Sequence, residues 1–136
     1  MDSKHGDVVS VMTTDECWDL LDRCELGRLA VTAGGEADIF SVNYVVHEHR
    51  ILFRTSPGTK LAELSANPRV AFEVDRHDDN SAASVVVKGI AERIELQDEI
   101  DAADALALRP WIPTLKYRWV RVTPVSLSGR RFDRGP

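Results

Sequence analysis

The chain has 136 residues and a formal charge of −5, from 22 acidic and 17 basic side chains. That length suits one domain over residues 1–136, with an N-terminal arm at 1–12 and a tail at 130–136, and its core needs no metal or disulfide staple. The acidic balance argues against a broad nucleic-acid surface, which needs a basic excess, but leaves room for a local cationic pocket.

No apolar run approaches the roughly 18 residues of a membrane span. The polar start Met1-Asp-Ser-Lys-His-Gly-Asp7 has no signal-peptide apolar region. With its cysteines read as reduced, the chain is expected in the cytoplasm. The arm ends in a short apolar run, Val8-Val9-Ser10-Val11-Met12. Thr13-x-x-Glu16 then has capping-box spacing. The helix predicted from Thr14 to about Cys24 puts Cys17, Leu20, Leu21 and Cys24 on one stripe. On that helix the two thiols stand about 10 Å apart, too far for a disulfide, and two cysteines alone build no zinc site.

Gly27 to Ala33 reads as a first strand. Gly34-Gly35-Glu36 is a hairpin signal, and Ala37 to Val46 is the return strand. Both its faces are partly apolar, as suits a barrel or an interface. His47-Glu48-His49 makes the next tight turn, and Arg50 to Thr55 a third strand. Ser56 reads as the N-cap and Pro57 as the first residue of a helix that carries Leu61 and Leu64 and ends before Asn67-Pro68. Arg69 to Asp75 is a fourth strand. Arg76 to Ala82 reads as a polar loop, and Ser84 to Ile94 as a long fifth strand in which Gly89 marks a bulge or a close approach. A helix from Gln97 to about Leu108 leads into the irregular Arg109-Pro-Trp-Ile-Pro113. Tyr117 to Thr123 and Val125 to Leu127 form a sixth strand with a proline break, and Arg130 to Pro136 a basic tail. The sum is a mainly β (α+β) fold: a six-stranded antiparallel barrel with peripheral helices. Hairpins where crossover helices would be needed disfavour a doubly wound sheet.

One corner carries chemistry: Leu52-Phe-Arg-Thr-Ser-Pro-Gly-Thr-Lys-Leu61. With Ser56 as N-cap, Gly58, Thr59 and Lys60 fall in the first helical turn. Their amides lack intrahelical acceptors, and the helix dipole adds positive charge. Gly58 allows close approach. Arg54 and Lys60 bring full charges, and Thr55, Ser56 and Thr59 bring hydroxyls. This set suits a phosphate monoester. It is not a Walker A loop, because Leu61 stands where Ser or Thr would hold magnesium. The same residues also suit an ordinary helix start with solvated cations, and the stretch alone leaves both readings open. Ser41-Val-Asn-Tyr44, across the short turn, offers an amide, a ring and a backbone edge, and Ser84 a further hydroxyl. Each also suits ordinary strand packing. His47, His49 and His77 lack a third partner in sequence, so no metal site is expected.

In their order and spacing, Phe40-Ser-Val-Asn-Tyr-Val45, Leu52 to Leu61, Asn67-Pro-Arg-Val-Ala-Phe-Glu-Val-Asp75 and Ser84-Val-Val-Val-Lys-Gly89 resemble the pyridoxamine 5′-phosphate oxidase-like superfamily. The likeness is to its small FMN-binding branch, which includes nitroimidazole-reductase-like proteins, and covers roughly residues 13–132. The resemblance implies a split β-barrel homodimer with FMN in two interface grooves, contacted by both subunits. Carried over by position, Arg54, Thr55, Thr59 and Lys60, with Ser56 beside them, would hold the flavin phosphate. Val42, Asn43 and Tyr44 would line the isoalloxazine, Ser84 would approach the phosphate and ribityl chain, and Trp119 would reach the partner's flavin. The Arg-x-His motif with which pyridoxamine phosphate oxidases grip substrate is altered here, with Phe132 in place of histidine in Arg130-Arg-Phe132. The implied function is a flavin-dependent oxidoreductase of unassigned small-molecule substrate. Its alternatives are a non-catalytic carrier or sensor of flavin, deazaflavin or haem, and a structural dimer with an empty groove.

Overall fold

The computed structural model of the chain describes residues 8–106, 108 and 117–134. Residues 1–7 of the arm, the 109–113 connection and the last two residues of the tail lie outside them. The elements, in chain order, are β1 (Val8–Val11), α1 (Thr14–Arg23), β2 (Leu26–Ala33), β3 (Glu36–His47) and β4 (Arg50–Thr55). Then follow α2 (Thr59–Ala66), β5 (Arg69–His77), β6 (Ser81–Arg93), α3 (Gln97–Asp104) and β7 (Arg118–Asp133).

Local chemistry explains the first half. Thr13 and Glu16 form the expected capping box: Thr13 N–H donates to Glu16 Oε1 at 2.8 Å, and Glu16 N–H to Thr13 Oγ1 at 3.1 Å. Gly34 and Gly35 take positive φ, 58° and 80°, as a two-residue hairpin requires. The second hairpin asks the same of Glu48 and His49, at 52° and 56°, although neither is glycine. His49 is held there by stacking on Trp18 of α1, with ring centroids 4.5 Å apart and planes 8° off parallel.

The sheet has seven strands in the order β1-β7-β4-β3-β2-β5-β6, and β7 pairs again with β6. Six strands therefore close into an antiparallel barrel, with β1 added at the far end of β7. The seventh strand corrects the expected six. The apolar run Val8–Val11 pairs with Arg130–Asp133, so two segments read as arm and tail form one ladder. Partners over a hundred residues apart leave no turn signal between them.

Two further boundaries move. Arg76 and His77 pair with Ala83 and Ala82, so the polar loop shrinks to a tight turn. Asp78 Oδ1 holds that turn by accepting the Asn80 and Ser81 amides, each at 2.8 Å. The expected proline break in β7 is instead a bulge. Lys88 faces Ser126 and Gly89 faces Pro124, which leaves Val125 as the extra residue. The bulge flips the alternation, so that Val120 and Val122 point inward before it and Leu127 and Gly129 after it. A Cβ on Gly89 would lie 2.5 Å from the Thr123 carbonyl oxygen, which explains the glycine.

The main core fills the barrel, with Leu29, Val31, Phe53, Phe72, Val74, Val85, Val87, Val120 and Val122 all at or below 1% exposure. α1 closes one end through Cys17, Leu20 and Leu21, and α2 the other through Leu61 and Leu64. A second cluster of Leu52, Ile94, Ala103 and Trp119 lies on the outward face of the barrel, beneath α3. Both cysteines are free, and Cys24 is the extended C-cap of α1 rather than a helical residue. Among the described residues no helix is long and apolar enough to cross a membrane.

Candidate functional site

The β3–β4 ladder runs from His47↔Arg50 to Tyr44↔Phe53 and stops. β3 continues through Glu36–Asn43, paired only with β2. Arg54 and Thr55 instead pair with Trp119 and Arg118 of β7. Where β3 and β4 part, a strand edge is left open. Tyr44 N–H donates to Glu25 O at 3.0 Å, toward β2. Antiparallel alternation therefore turns the amides and carbonyls of Ser41 and Asn43 the other way, into the gap.

That register corrects the expected lining. Val42 and Tyr44 are 4% and 3% exposed and belong to the barrel core. The Tyr44 hydroxyl donates to Leu21 O at 2.5 Å, and its ring packs edge-on to Phe72. Burial pushes its pKa well above the usual phenol range. Because side chains alternate along a strand, the outward face belongs to Ser41 and Asn43. Asn43 Nδ2 donates to Glu25 O at 2.8 Å, while its buried Oδ1 has no partner. An orphaned buried acceptor costs about 1–3 kcal/mol.

Arg54 also projects outward. Its guanidinium lies 4.5 Å from the Tyr117 ring centroid and 5.8 Å from that of Trp119. The two rings meet edge to face at 6.2 Å. Both donate to one oxygen, Asp104 Oδ1: Tyr117 OH at 2.8 Å and Trp119 Nε1–H at 2.7 Å. A cavity of about 520 Å³ opens beside them, lined by Trp119, Tyr117, Arg118, Asp104 and Ile100. Lys60 sits on the other side of the β4 end, with Nζ 5.0 Å from the Phe40 ring centroid. Burial lowers its pKa below the ordinary lysine range. Among the described residues, neither cation has a carboxylate within 4.0 Å.

The helix start is displaced from its expected place. Gly58, not Ser56, is the N-cap of α2, and no side chain caps it. The free amides are therefore those of Thr59, Lys60 and Leu61. Thr55 stays in β4, only 7% exposed, with its hydroxyl donating to Ser56 O at 3.3 Å. Its side chain faces the core, so Ser56 and Pro57 are spent leaving the barrel, exposed and before the helix. Thr59 is exposed at the first helical position.

Ser84 does not join this group within one chain. Its hydroxyl donates to Glu73 Oε2 at 3.2 Å, and it faces Arg130 of β7. Arg54 faces Trp119 of the same strand, eleven residues earlier, or about 35 Å at roughly 3.3 Å per residue. The structure places Trp119 beside Arg54, and Thr59 and Lys60 together in the first turn of α2, while Ser84 faces a position of β7 eleven residues from the one Arg54 faces. Beside Arg54 it adds Tyr117 and, bonded to that ring's hydroxyl, Asp104, and beside Lys60 it adds Phe40, none of which the sequence reading placed in the site. Tyr117-x-Trp119 was the available signal, since two aromatics at a spacing of two share a strand face. Among the described residues no three His, Cys, Asp or Glu side chains gather as a metal would need.

A family model described as pyridoxamine 5′-phosphate oxidase matches residues 13–131. A solved structure from Corynebacterium glutamicum, provisionally named a pyridoxamine 5′-phosphate oxidase, is 43% identical. The match covers 93% of this chain and 99% of that one, with a TM-score of 0.87. A solved FAD-binding protein of Mycobacterium smegmatis is 40% identical over 93% of this chain and 98% of that one, with a TM-score of 0.79. An uncharacterised protein of Mycobacterium tuberculosis is 39% identical over 92 residues, 68% of this chain and 84% of that protein.

Proposed function

This chain belongs to the pyridoxamine 5′-phosphate oxidase family, and on that premise we propose that it is a flavin-nucleotide-binding oxidoreductase acting on a small molecule. The observation that carries this reading is the uncapped start of α2, which bears Lys60 and follows Arg54 of β4, with neither cation in an ion pair among the described residues. Free amides, the helix dipole and two cations together suit a phosphate ester. The grip is on the 5′-phosphate common to FMN and FAD. The 40% identical FAD-binding protein of Mycobacterium smegmatis supports a flavin over a haem or a deazaflavin.

The residues also fit the ring system. Asn43 Oδ1 supplies the acceptor that a flavin imide or ribityl hydroxyl would satisfy. The open edge at Ser41 and Asn43 supplies backbone donors and acceptors. When bound, the flavin supplies hydride or single-electron transfer, while the protein holds and orients it. Phe132 sits in the β7 ladder between Val9 and Ala82. No imidazole stands there to grip pyridoxamine phosphate, so the substrate is a different small molecule.

The groove is completed by a second copy of the chain. Ser84 lies too far along β7 to serve the same groove as Arg54, so in a homodimer one copy contributes the cations and the other Ser84.

The test is an absorption spectrum of protein from its native host, then titration with FMN, FAD and riboflavin. Flavin absorbance, with riboflavin weaker by tenfold or more, is the expected outcome. A haem or deazaflavin spectrum, or equal affinity for riboflavin and FMN, would overturn the phosphate-grip reading. Anaerobic reduction by NAD(P)H with turnover of a nitroaromatic acceptor distinguishes the enzyme from a carrier that binds without turnover.

A further inference from the structure

We infer that Asp104, the last residue of α3, is a positioning residue for Arg54: it locks the two rings that aim the guanidinium at the anion. The inference rests on the flavin-nucleotide reading and names a residue that reading did not need. A carboxylate at a helix C-terminus faces the negative end of the helix dipole. α3 nevertheless ends on one, and has no basic residue in its last turn. The compensation lies in its partners. One oxygen, Oδ1, accepts from Trp119 Nε1–H at 2.7 Å and from Tyr117 OH at 2.8 Å.

Trp119 is 3% exposed, so its indole N–H needs a partner inside the protein. With that bond made, the Trp119 ring has a fixed orientation, and Tyr117 is tied to the same oxygen. The two rings stand at 89° and form an open corner, in which the Arg54 guanidinium lies over both faces. A guanidinium held by ring faces keeps its N–H edge free for an anion. A carboxylate in the same role would neutralise it. Asp104 thus acts on Arg54 through two neutral side chains and leaves its charge available.

The test combines ligand-free protein and a double-mutant cycle. In ligand-free protein, Asp104→Leu should shift the Trp119 indole and Arg54 Nε–H NMR resonances, and Asp104→Asn, which keeps an acceptor oxygen, should restore most of both. In binding, Asp104→Leu should weaken FMN by about tenfold, leave riboflavin unchanged, and add nothing in an Arg54→Ala background. Trp119→Phe, which deletes only the donor side of the bond and retains a ring, should reproduce part of the loss. An unmoved Arg54 resonance overturns the inference whatever the ligand does. So does a loss of FMN affinity that persists at full size in Arg54→Ala, or one that is equal for riboflavin. If Arg54→Ala itself leaves FMN and riboflavin affinities unchanged while the Arg54 resonance moves in Asp104→Leu, the positioning stands and the phosphate role of Arg54 falls.

Discussion

Arg54 holds a full charge against two aromatic rings, and Lys60 holds another against Phe40. Rings anchor a cation without cancelling it, so both side chains keep their charge available to an anion. Arg54→Ala and Lys60→Ala should each weaken flavin-nucleotide binding by about 1.5–3 kcal/mol, measured by titration against riboflavin as the phosphate-free control. Lys60 adds a pH signature. Burial favours its neutral form, so its charge is lost on raising the pH at a lower value than for an ordinary lysine. Affinity should therefore fall with rising pH in the alkaline range, and that fall should vanish in Lys60→Ala. A pH-independent affinity up to the ordinary lysine range would count against Lys60 as a ligand. Tyr44 shows the opposite use of a ring. Its hydroxyl serves Leu21 O inside the barrel, so Tyr44→Phe should lower stability by roughly 1–3 kcal/mol in urea unfolding, with flavin affinity unchanged. The residue types of the proposed anion seat are legible from the corner Leu52–Leu61. Which of Val42, Asn43 and Tyr44 faces the ligand is not, because both faces of β3 carry apolar residues and only pairing decides the parity.

At the scale of elements, α2 contributes Thr59 and Lys60 to the proposed seat. It meets the end of β3 at two points one turn apart: Lys60 lies over Phe40, and Glu63 lies near Asp38. Burial, first, and then Asp38 raise the Glu63 pKa above the usual carboxylate range, and its Oε2 is buried without a partner. A raised folded-state pKa gives stability that is full below the unfolded value and is lost as pH rises through the folded value. The melting temperature should therefore rise on mild acidification from neutral pH, and Glu63→Gln should remove that rise and stabilise the protein at pH 7. A Glu63→Gln variant with the same pH dependence as the parent would exclude this pair as its origin. Sequence patterns predict α1 and the two hairpins well, because a capping box and positive-φ turns are local chemistry. They misplace the start of α2, because Ser56-Pro57 reads as a cap and first turn, yet Thr55 must stay in β4 to fill the core.

For the whole molecule, the decisive distance runs along β7. Arg54 and Ser84 face positions eleven residues apart on one strand, so a groove using both needs two chains. Ile39, on the outward face of β3 beside the open edge, is 71% exposed, and Leu26 is 47% exposed. If the proposed homodimer forms through this face, Ile39→Lys should yield monomers in sedimentation and lose flavin binding with them. A monomeric variant that keeps full affinity would show that one chain suffices. The sequence by itself determined what local rules can reach: the antiparallel barrel class, the hairpins, the capped first helix, the residue types of the anion corner and the family likeness. Only the tertiary structure decided the seventh strand, the bulge at Val125, the inward turn of Val42, Tyr44 and Thr55, and the meeting of Asp104, Tyr117, Trp119 and Arg54. Those features depend on register between strands far apart in the chain, where a slip of one residue exchanges the two faces and no short stretch of sequence records which pairing wins.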